Sequence, residues 1–365
     1  GPGYDTLPKR LFQFIPLWGF LVFFEYAMRR VDCRTCGVKV EEVPWGDGKK
    51  LVSNTFAWFI AHWARQLSWS AVAREFGLSW QRVFDCVENA VVWGRARRSL
   101  EGVTAIGVDE IARARGHQYV TLVYQICNGQ RRLLHVGKDR TEKSLRHFFL
   151  IFGERRSKSI EFICSDMWRP FLNVIKEFAP AAVHVLDRFH IMGHFSKAID
   201  EVRAGEARAL AQQGRGELLK HTRWALLKRP ENLTDSQRER LGGLVASNLK
   251  TIKSYLLKEQ FQQFWDYKSP AFAGRFLDGW IYTTMRSKIE PMKRVARMMR
   301  RHRPLILNWF KAKGQISNGV VEGLNGKGRV LTKRAYGFRT FRCLEVALYH
   351  ELGKLPEKEF AHRFW

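Results

Sequence analysis

Hydrophobic and polar positions change rhythm several times along the chain. Through residues 4–48 apolar residues fall in short runs broken by turn signals, as in brief strands. The most apolar stretch, residues 11–24 (LFQFIPLWGFLVFF), is interrupted by Gln13 and Pro16. It is shorter than the roughly 20 residues of a membrane span, so it reads as two strands turning at Pro16 and Gly19. The second of them is expected over 20–28. Residues 53–93 adopt the helical period and predict three helices. Ser53 caps the first, with Phe56, Phe59, Ile60 and Trp63 on one face. The second spans 70–76, and Ser79 opens a third that runs to Trp93.

Strand-length apolar runs return at 103–108, 119–126, 132–136, 161–164 and 183–186, with helices expected at 141–152 and 169–178. The first three runs are close enough for an antiparallel meander. The last two need helical crossovers, so the class is α/β with a mixed sheet. Residues 191–300 show no strand pattern and read as a helical insertion. Thr234-Asp235-Ser236-Gln237 is a capping box, after which Leu241, Leu244, Val245, Leu249, Ile252 and Leu256 keep the helical period.

Charge changes the picture. Lysine plus arginine is 62 against 35 acids, a net charge of +27, in a chain that is 45% hydrophobic and 13% aromatic. That apolar content builds a core and excludes a disordered basic tail. A compact body so charged repels itself, and a polyanionic partner is the simplest reason to tolerate it. Nucleic acid comes first; an anionic membrane would need an amphipathic or spanning segment. Six scattered cysteines are no disulfide framework, so a reduced cytoplasmic setting without a secretory leader is expected. Cys33-Arg34-Thr35-Cys36-Gly37 is a turn that sets two thiolates toward a metal. Zinc takes four ligands and no second C-x-x-C exists, so the pair is half of a site completed elsewhere or two free thiols.

Ala73, Gly77 and Val83 stand where a helix-turn-helix needs a small residue, a turn glycine and a buried aliphatic. Trp80, Gln81 and Arg82 would then face DNA; an ordinary three-helix bundle shares this spacing. The cluster Lys293, Arg294, Arg297, Arg300, Arg301 and Arg303 is a solvated face or a phosphate contact.

In a chain this short of acid, three strand-like runs lead into carboxylates: Asp109 and Glu110, then Asp166, then Asp187. Any one alone is as readily a turn or cap residue. Gathered, they repel unless a cation lies between them, and Mg²⁺ takes carboxylate oxygens. Two such ions about 3.5–4 Å apart activate a water or a 3′-hydroxyl against a phosphodiester. A further acid is expected from residues 316–332. There Ser317 or Asn318 caps a helix, and Glu322 shares a face with Gly319, Asn325 and Gly326. Lys327 and Arg329, just beyond, suit flanking phosphates.

Five blocks occur in order: Ile106-Gly107-Val108-Asp109-Glu110; Gly116-His117-x-Tyr119-Val120-Thr121; Ser165-Asp166-Met167-Trp168-Arg169-Pro170; Asp187-Arg188-Phe189-His190; and Ser317-Asn318-Gly319-Val320-Val321-Glu322-Gly323-Leu324-Asn325. With them the chain resembles the DDE transposases of bacterial insertion sequences of the ISL-three family, over nearly its whole length. The resemblance implies a ribonuclease-H-like core in which Asp109 closes the first strand, Asp166 follows the fourth, and Glu322 sits on a helix after an all-helical insertion. It implies a catalytic trio of Asp109, Asp166 and Glu322 on two Mg²⁺ (or Mn²⁺) ions. Asp187 and His190 would stand beside the trio or touch a flanking phosphate. His190 and His194 lie four apart and would need a third ligand to hold zinc.

The implied organisation is a partial zinc-ribbon-like β segment (1–50), a helix-turn-helix domain (51–98), the first part of the core (99–190), the insertion (191–312) and the last part of the core with a C-terminal helix (313–365). Only the second half of a zinc ribbon is visible, which leaves Zn²⁺ at Cys33 and Cys36 open. The implied activity is binding of terminal inverted repeats in double-stranded DNA, followed by Mg-dependent cleavage and strand transfer. A homodimer on DNA, in the bacterial cytoplasm with the nucleoid and without a membrane, is the expected setting. Two alternatives stand: a catalytically silent DNA-binding regulator, and a related nuclease without strand transfer.

Overall fold

The computed structural model describes residues 2–47, 50–114, 116, 118–127, 129–228, 230–245, 249–312 and 318–358. The expected cap at Ser317 and the contacts of His117 lie outside them.

The N-terminal strands are β1 (Gly3–Thr6), β2 (Arg10–Leu17), β3 (Phe20–Tyr26), β4 (Arg29–Cys33) and β5 (Gly37–Val40). They form two small sheets, β1-β4-β5 and the hairpin β2-β3. The hairpin turns at Trp18-Gly19, both with positive φ, the two-residue turn whose twist suits antiparallel strands. Pro16 therefore does not make the turn. It stays in β2, where the register shifts between Phe14 and Leu17. Among the described residues no helix is long and apolar enough to cross a membrane.

Three helices follow: α1 (Asn54–Gln66), α2 (Trp69–Glu75) and α3 (Trp80–Arg97). Ser53, Ser68 and Ser79 cap them, each hydroxyl accepting from the amide three residues on. Gly77, at φ +62°, supplies the left-handed turn between α2 and α3.

The central elements are β6 (Ala105–Ala114), β7 (Gln118–Gln125), β8 (Arg132–Gly137), α4 (Glu142–Phe152), α5 (Glu154–Lys158), β9 (Phe162–Ser165), α6 (Arg169–Phe178) and β10 (Val183–Leu186). They build a five-stranded mixed sheet of order β10-β9-β6-β7-β8. β6, β7 and β8 are the antiparallel meander; β9 and β10 run parallel to β6. One sheet face, with Ile106 and Val108, packs on Leu145 and Phe149 of α4 and Phe171 and Val174 of α6. On the other face Ala105 and Ile111 share a core with α1, α2, α3 and the C-terminal helices.

Between sheet and C-terminus lie α7 (Arg188–Gln212), α8 (Arg223–Leu227), α9 (Asp235–Val245), α10 (Lys250–Gln262), α11 (Pro270–Arg286), α12 (Glu290–Arg301) and α13 (Arg303–Lys311). They bury a core of their own, with Phe195 stacked on Phe261, and Trp280 against both. The capping box forms reciprocally: Gln237 N donates to Thr234 Oγ1, and Thr234 N to Gln237 Oε1. The periodic run after it is two helices rather than one, and Leu256 is exposed. A shared period does not register the break before Lys250. The chain ends in α14 (Asn318–Arg334) and α15 (Phe341–Leu352).

Candidate active site

The site is built where α14 crosses β6. Val321 lies over Gly107 so closely that a Cβ there would come within 2.4 Å of Val321 Cγ2. Only glycine permits that approach. Four residues on, Asn325 is almost wholly buried; three further, Gly328 lies over Ile111. Residues 107, 109 and 111 share one face of the strand, and 321, 325 and 328 one face of the helix, so the two periods mesh. Asn325 Nδ2 donates to Asp109 Oδ2, and Tyr124 Oη donates to Asn325 Oδ1 at 2.7 Å. A sheet tyrosine, a helix asparagine and the strand carboxylate thus form one hydrogen-bonded chain.

Asp109 does not close its strand. β6 continues to Ala114, with Asp109 opposite Leu122. The sequence hides this because Asp109, Glu110 and Arg113 break the apolar run. The carboxylate nevertheless lies past the end of one pairing: β9 pairs with β6 only through Gly107, so among the described residues that edge of β6 has no strand partner beyond it. Asp166 follows β9 and Asp187 follows β10, as expected. Asp166 Oδ1 accepts from Trp168 N at 3.0 Å, and Asp187 Oδ1 caps α7 by accepting from Phe189 N at 2.8 Å.

His190, one turn into α7, sets Nε2 3.6 Å from Asp109 Oδ1 and 3.9 Å from Asp187 Oδ2. The Asp109 carboxylate beside it, with the Asp187 and Asp166 charges behind, raises the imidazole to about 9. Burial raises the Asp187 carboxyl to about 6, and the Asp109 and Glu322 charges add to the rise. Glu110 is pushed up to about 7, first by burial, then by Asp166. Its Oε1 pairs with Arg140 Nε at 2.9 Å, while Oε2 is buried without a hydrogen-bond partner. Arg140 Nη2 reaches Asp166 Oδ2 at 2.9 Å.

Asp109, Asp166, Asp187 and His190 therefore gather in one place. Glu322 is exposed on α14, one turn before Asn325, and Gly323 and Gly326 beside it leave open space. Its charge is felt at Asp187. Among the described residues, no three Asp, Glu, His or Cys side chains stand close enough to hold a metal ion without moving. Burial and Lys197 lower His194 instead of readying it as a partner to His190. Sequence reasoning passes over Arg140 and Tyr124 and gives Asn325 no role. A buried tyrosine opposite a glycine has no local signature, and Arg140 sits in a polar turn like any other.

Cys33 and Cys36 face each other at 3.3 Å in the β4–β5 turn, and hydrogen bonds from Thr35 and then Cys36 lower the Cys33 thiol to about 6. Trp80 is half-exposed, stacked on Phe84 and tilted against Trp69. Gln81 is engaged with Asp85 within α3, while the Arg82 side chain is exposed. On α12, Arg294 pairs with Glu201, and Arg297 and Lys293 with Glu290; on α13, Arg303 pairs with Asp278. Among the described residues Arg300, Arg301, Lys327 and Arg329 are exposed without an acidic partner.

A family model described as transposase matches residues 106–348, which holds the sheet, the helical region and α14. The chain belongs to the ISL-three family of insertion-sequence transposases. It is 27% identical to the transposase for insertion sequence element IS1001 of Bordetella parapertussis, over 92% of this chain and 82% of that protein. It is 30% identical to the transposase for IS1557 of Mycobacterium tuberculosis, over 90% of this chain and 78% of that one.

Proposed function

We propose that this ISL-three transposase cleaves and rejoins the DNA ends of its element with Asp109, Asp166 and Glu322. The observation that carries the reading is the meshing of α14 with β6. It fixes Asp109 through Asn325 and sets Glu322 one turn away on the same helix. The sheet order, with the second strand antiparallel and two parallel strands added beside the first, supports a ribonuclease-H-like core.

The donor set suits a hard divalent cation. It is all carboxylate oxygen; Glu110 keeps a buried oxygen without a partner, and mutual repulsion helps raise Glu110 and Asp187. Asp109 and Asp166 would hold two Mg²⁺ or Mn²⁺ ions, with Glu322 on one of them. When bound, the ions would activate a water or a 3′-hydroxyl and stabilise the leaving oxygen. The protein's own side chains orient the rest. Tyr124 and Asn325 hold Asp109 in one rotamer, and Asp187 keeps the protonated His190 against Asp109. Lys327 and Arg329, exposed along α14, would take flanking phosphates.

Recognition of the terminal inverted repeats would rest on α2 and α3 as a helix-turn-helix. Ser79 caps α3 so that its first turn is offered outward with Arg82 exposed. Arg297, Arg300 and Arg301 would meet the backbone. Two protomers would pair two ends. Zinc at Cys33 and Cys36 would need ligands from elsewhere. The test is a nicking and strand-transfer assay with labelled element-end DNA and Mg²⁺. Asp109→Ala should lose both activities and keep end binding; strand transfer by that variant refutes the assignment. Binding by the wild type without nicking would favour a silent regulator, and cleavage without joining a nuclease.

A further inference from the structure

We propose that Arg140 is a resident counter-ion of the carboxylate pocket, held by Glu110 and Asp166, which has to leave Asp166 before a divalent cation takes that carboxylate. The inference rests on the metal-binding reading of that pocket. Arg140 comes from the turn between β8 and α4, and its guanidinium joins β6 to the loop after β9 through the two 2.9 Å ion pairs. It also lies 4.8 Å from the centre of the Trp168 ring, which is itself wedged edge-on against Phe171. A cation held by two carboxylates and an aromatic face has three constraints on its position.

Exposure gives the direction in which it moves. The Glu110 and Asp166 side chains are 12% and 11% exposed, against 31% for Arg140. The acids therefore lie deeper than the arginine side chain as a whole, although Arg140 Nε is itself buried and makes no hydrogen bond. A guanidinium and a divalent ion on the same Asp166 oxygen repel strongly at such short range. A planar donor fork released toward solvent is suited to a phosphate oxygen pair. Occupation of the pocket by Arg140 and arrival of DNA are then linked: a phosphate that draws Arg140 outward raises the affinity of the acids for metal. Glu110 is the acid that holds the arginine in the resting state, which gives a purpose to a buried carboxylate outside the proposed trio.

The experiment is Mn²⁺ binding to the full-length, DNA-free protein, read by calorimetry and by the Mn²⁺-induced shift in melting temperature. Arg140→Gln should bind Mn²⁺ about tenfold tighter than wild type, while Arg140→Lys, which keeps the charge, should bind tighter by less. Equal or weaker binding by Arg140→Gln overturns the proposal. If that variant does not fold, Trp168→Leu, which removes the face under Arg140 along with the edge contact to Phe171 and leaves both ion pairs in place, must bind more tightly than wild type; unchanged or weaker binding again overturns it. Asp109→Asn separates the two readings. If it abolishes Mn²⁺ binding and Arg140→Gln does not tighten it, only the counter-ion role falls. If Asp109→Asn binds as wild type does, or no variant binds, the metal-carboxylate reading falls with it.

Discussion

On the central sheet, charged side chains are held between elements: Asp109 by Asn325 of α14 and beside His190 of α7, and Glu110 and Asp166 by Arg140. Along α12 and α13 they reach across the surface to acids such as Glu201, Glu290 and Asp278, at half-exposed positions. Exposed pairs of that second kind contribute about 0–1 kcal/mol each, and their partners are interchangeable with solvent or phosphate. The first kind is fixed by hydrogen bonds and burial, so a displacement of one element moves the chemistry. Position matters in the pocket, and the sum of charge matters on the surface.

The largest break in that contrast should come from Gly107→Ala. The new methyl meets Val321 at 2.4 Å, so α14 has to lift from β6. Overpacking of this kind costs about 1–3 kcal/mol, and DNA cleavage should fall with it while end binding persists. Unfolding midpoints and nicking rates measured together check this; full activity would mean that the helix need not rest there. Asn325→Ala should follow. It strips Asp109 and the buried Tyr124 hydroxyl of their common partner, at about 1–3 kcal/mol. Tyr124→Phe should cost less, because Asn325 still reaches Asp109.

Surface substitutions should behave otherwise. Arg300→Ala with Arg301→Ala should leave the melting temperature almost unchanged. It should flatten the slope of log affinity against log salt by about 0.9 for each phosphate that is no longer neutralised. A titration of DNA affinity at several salt concentrations reads this directly, and an unchanged slope would remove α12 from the interface.

The smallest effect is on pH dependence. His190 is raised to about 9 from 6.5 by Asp109 first. A raised folded-state value favours the fold fully below about 6.5 and loses that contribution as pH climbs toward 9. Metal-free wild type should therefore lose melting temperature over that window more steeply than His190→Asn. Parallel curves would show that the imidazole does not carry a proton there.

Much of this arrangement is written locally. The helices 141–152 and 169–178, the strand 183–186 and the Thr234 box follow from near neighbours, and they stand where those neighbours indicate. The full length of β6 is hidden because Asp109, Glu110 and Arg113 break the apolar run, while the pairs that extend the strand, Ala112 with Tyr119 and Ala114 with Gln118, join residues across a turn. The gathering of Asp109, Asp166 and Asp187 is legible as a row of acids after apolar runs. The Tyr124–Asn325 link and the Arg140 clamp are not, since each joins segments far apart in sequence through side chains that carry no motif. Long-range complementarity of that sort is a property of the assembled sheet and helix.

The most direct test of a shared cation is to load the protein with Fe²⁺ in place of Mg²⁺ and let ascorbate and peroxide cut the backbone next to the ion. Cuts near Asp109, Asp166 and Glu322 together, each suppressed by excess Mg²⁺, are the expected pattern. Cuts confined to the first two segments, with α14 intact, would contradict it.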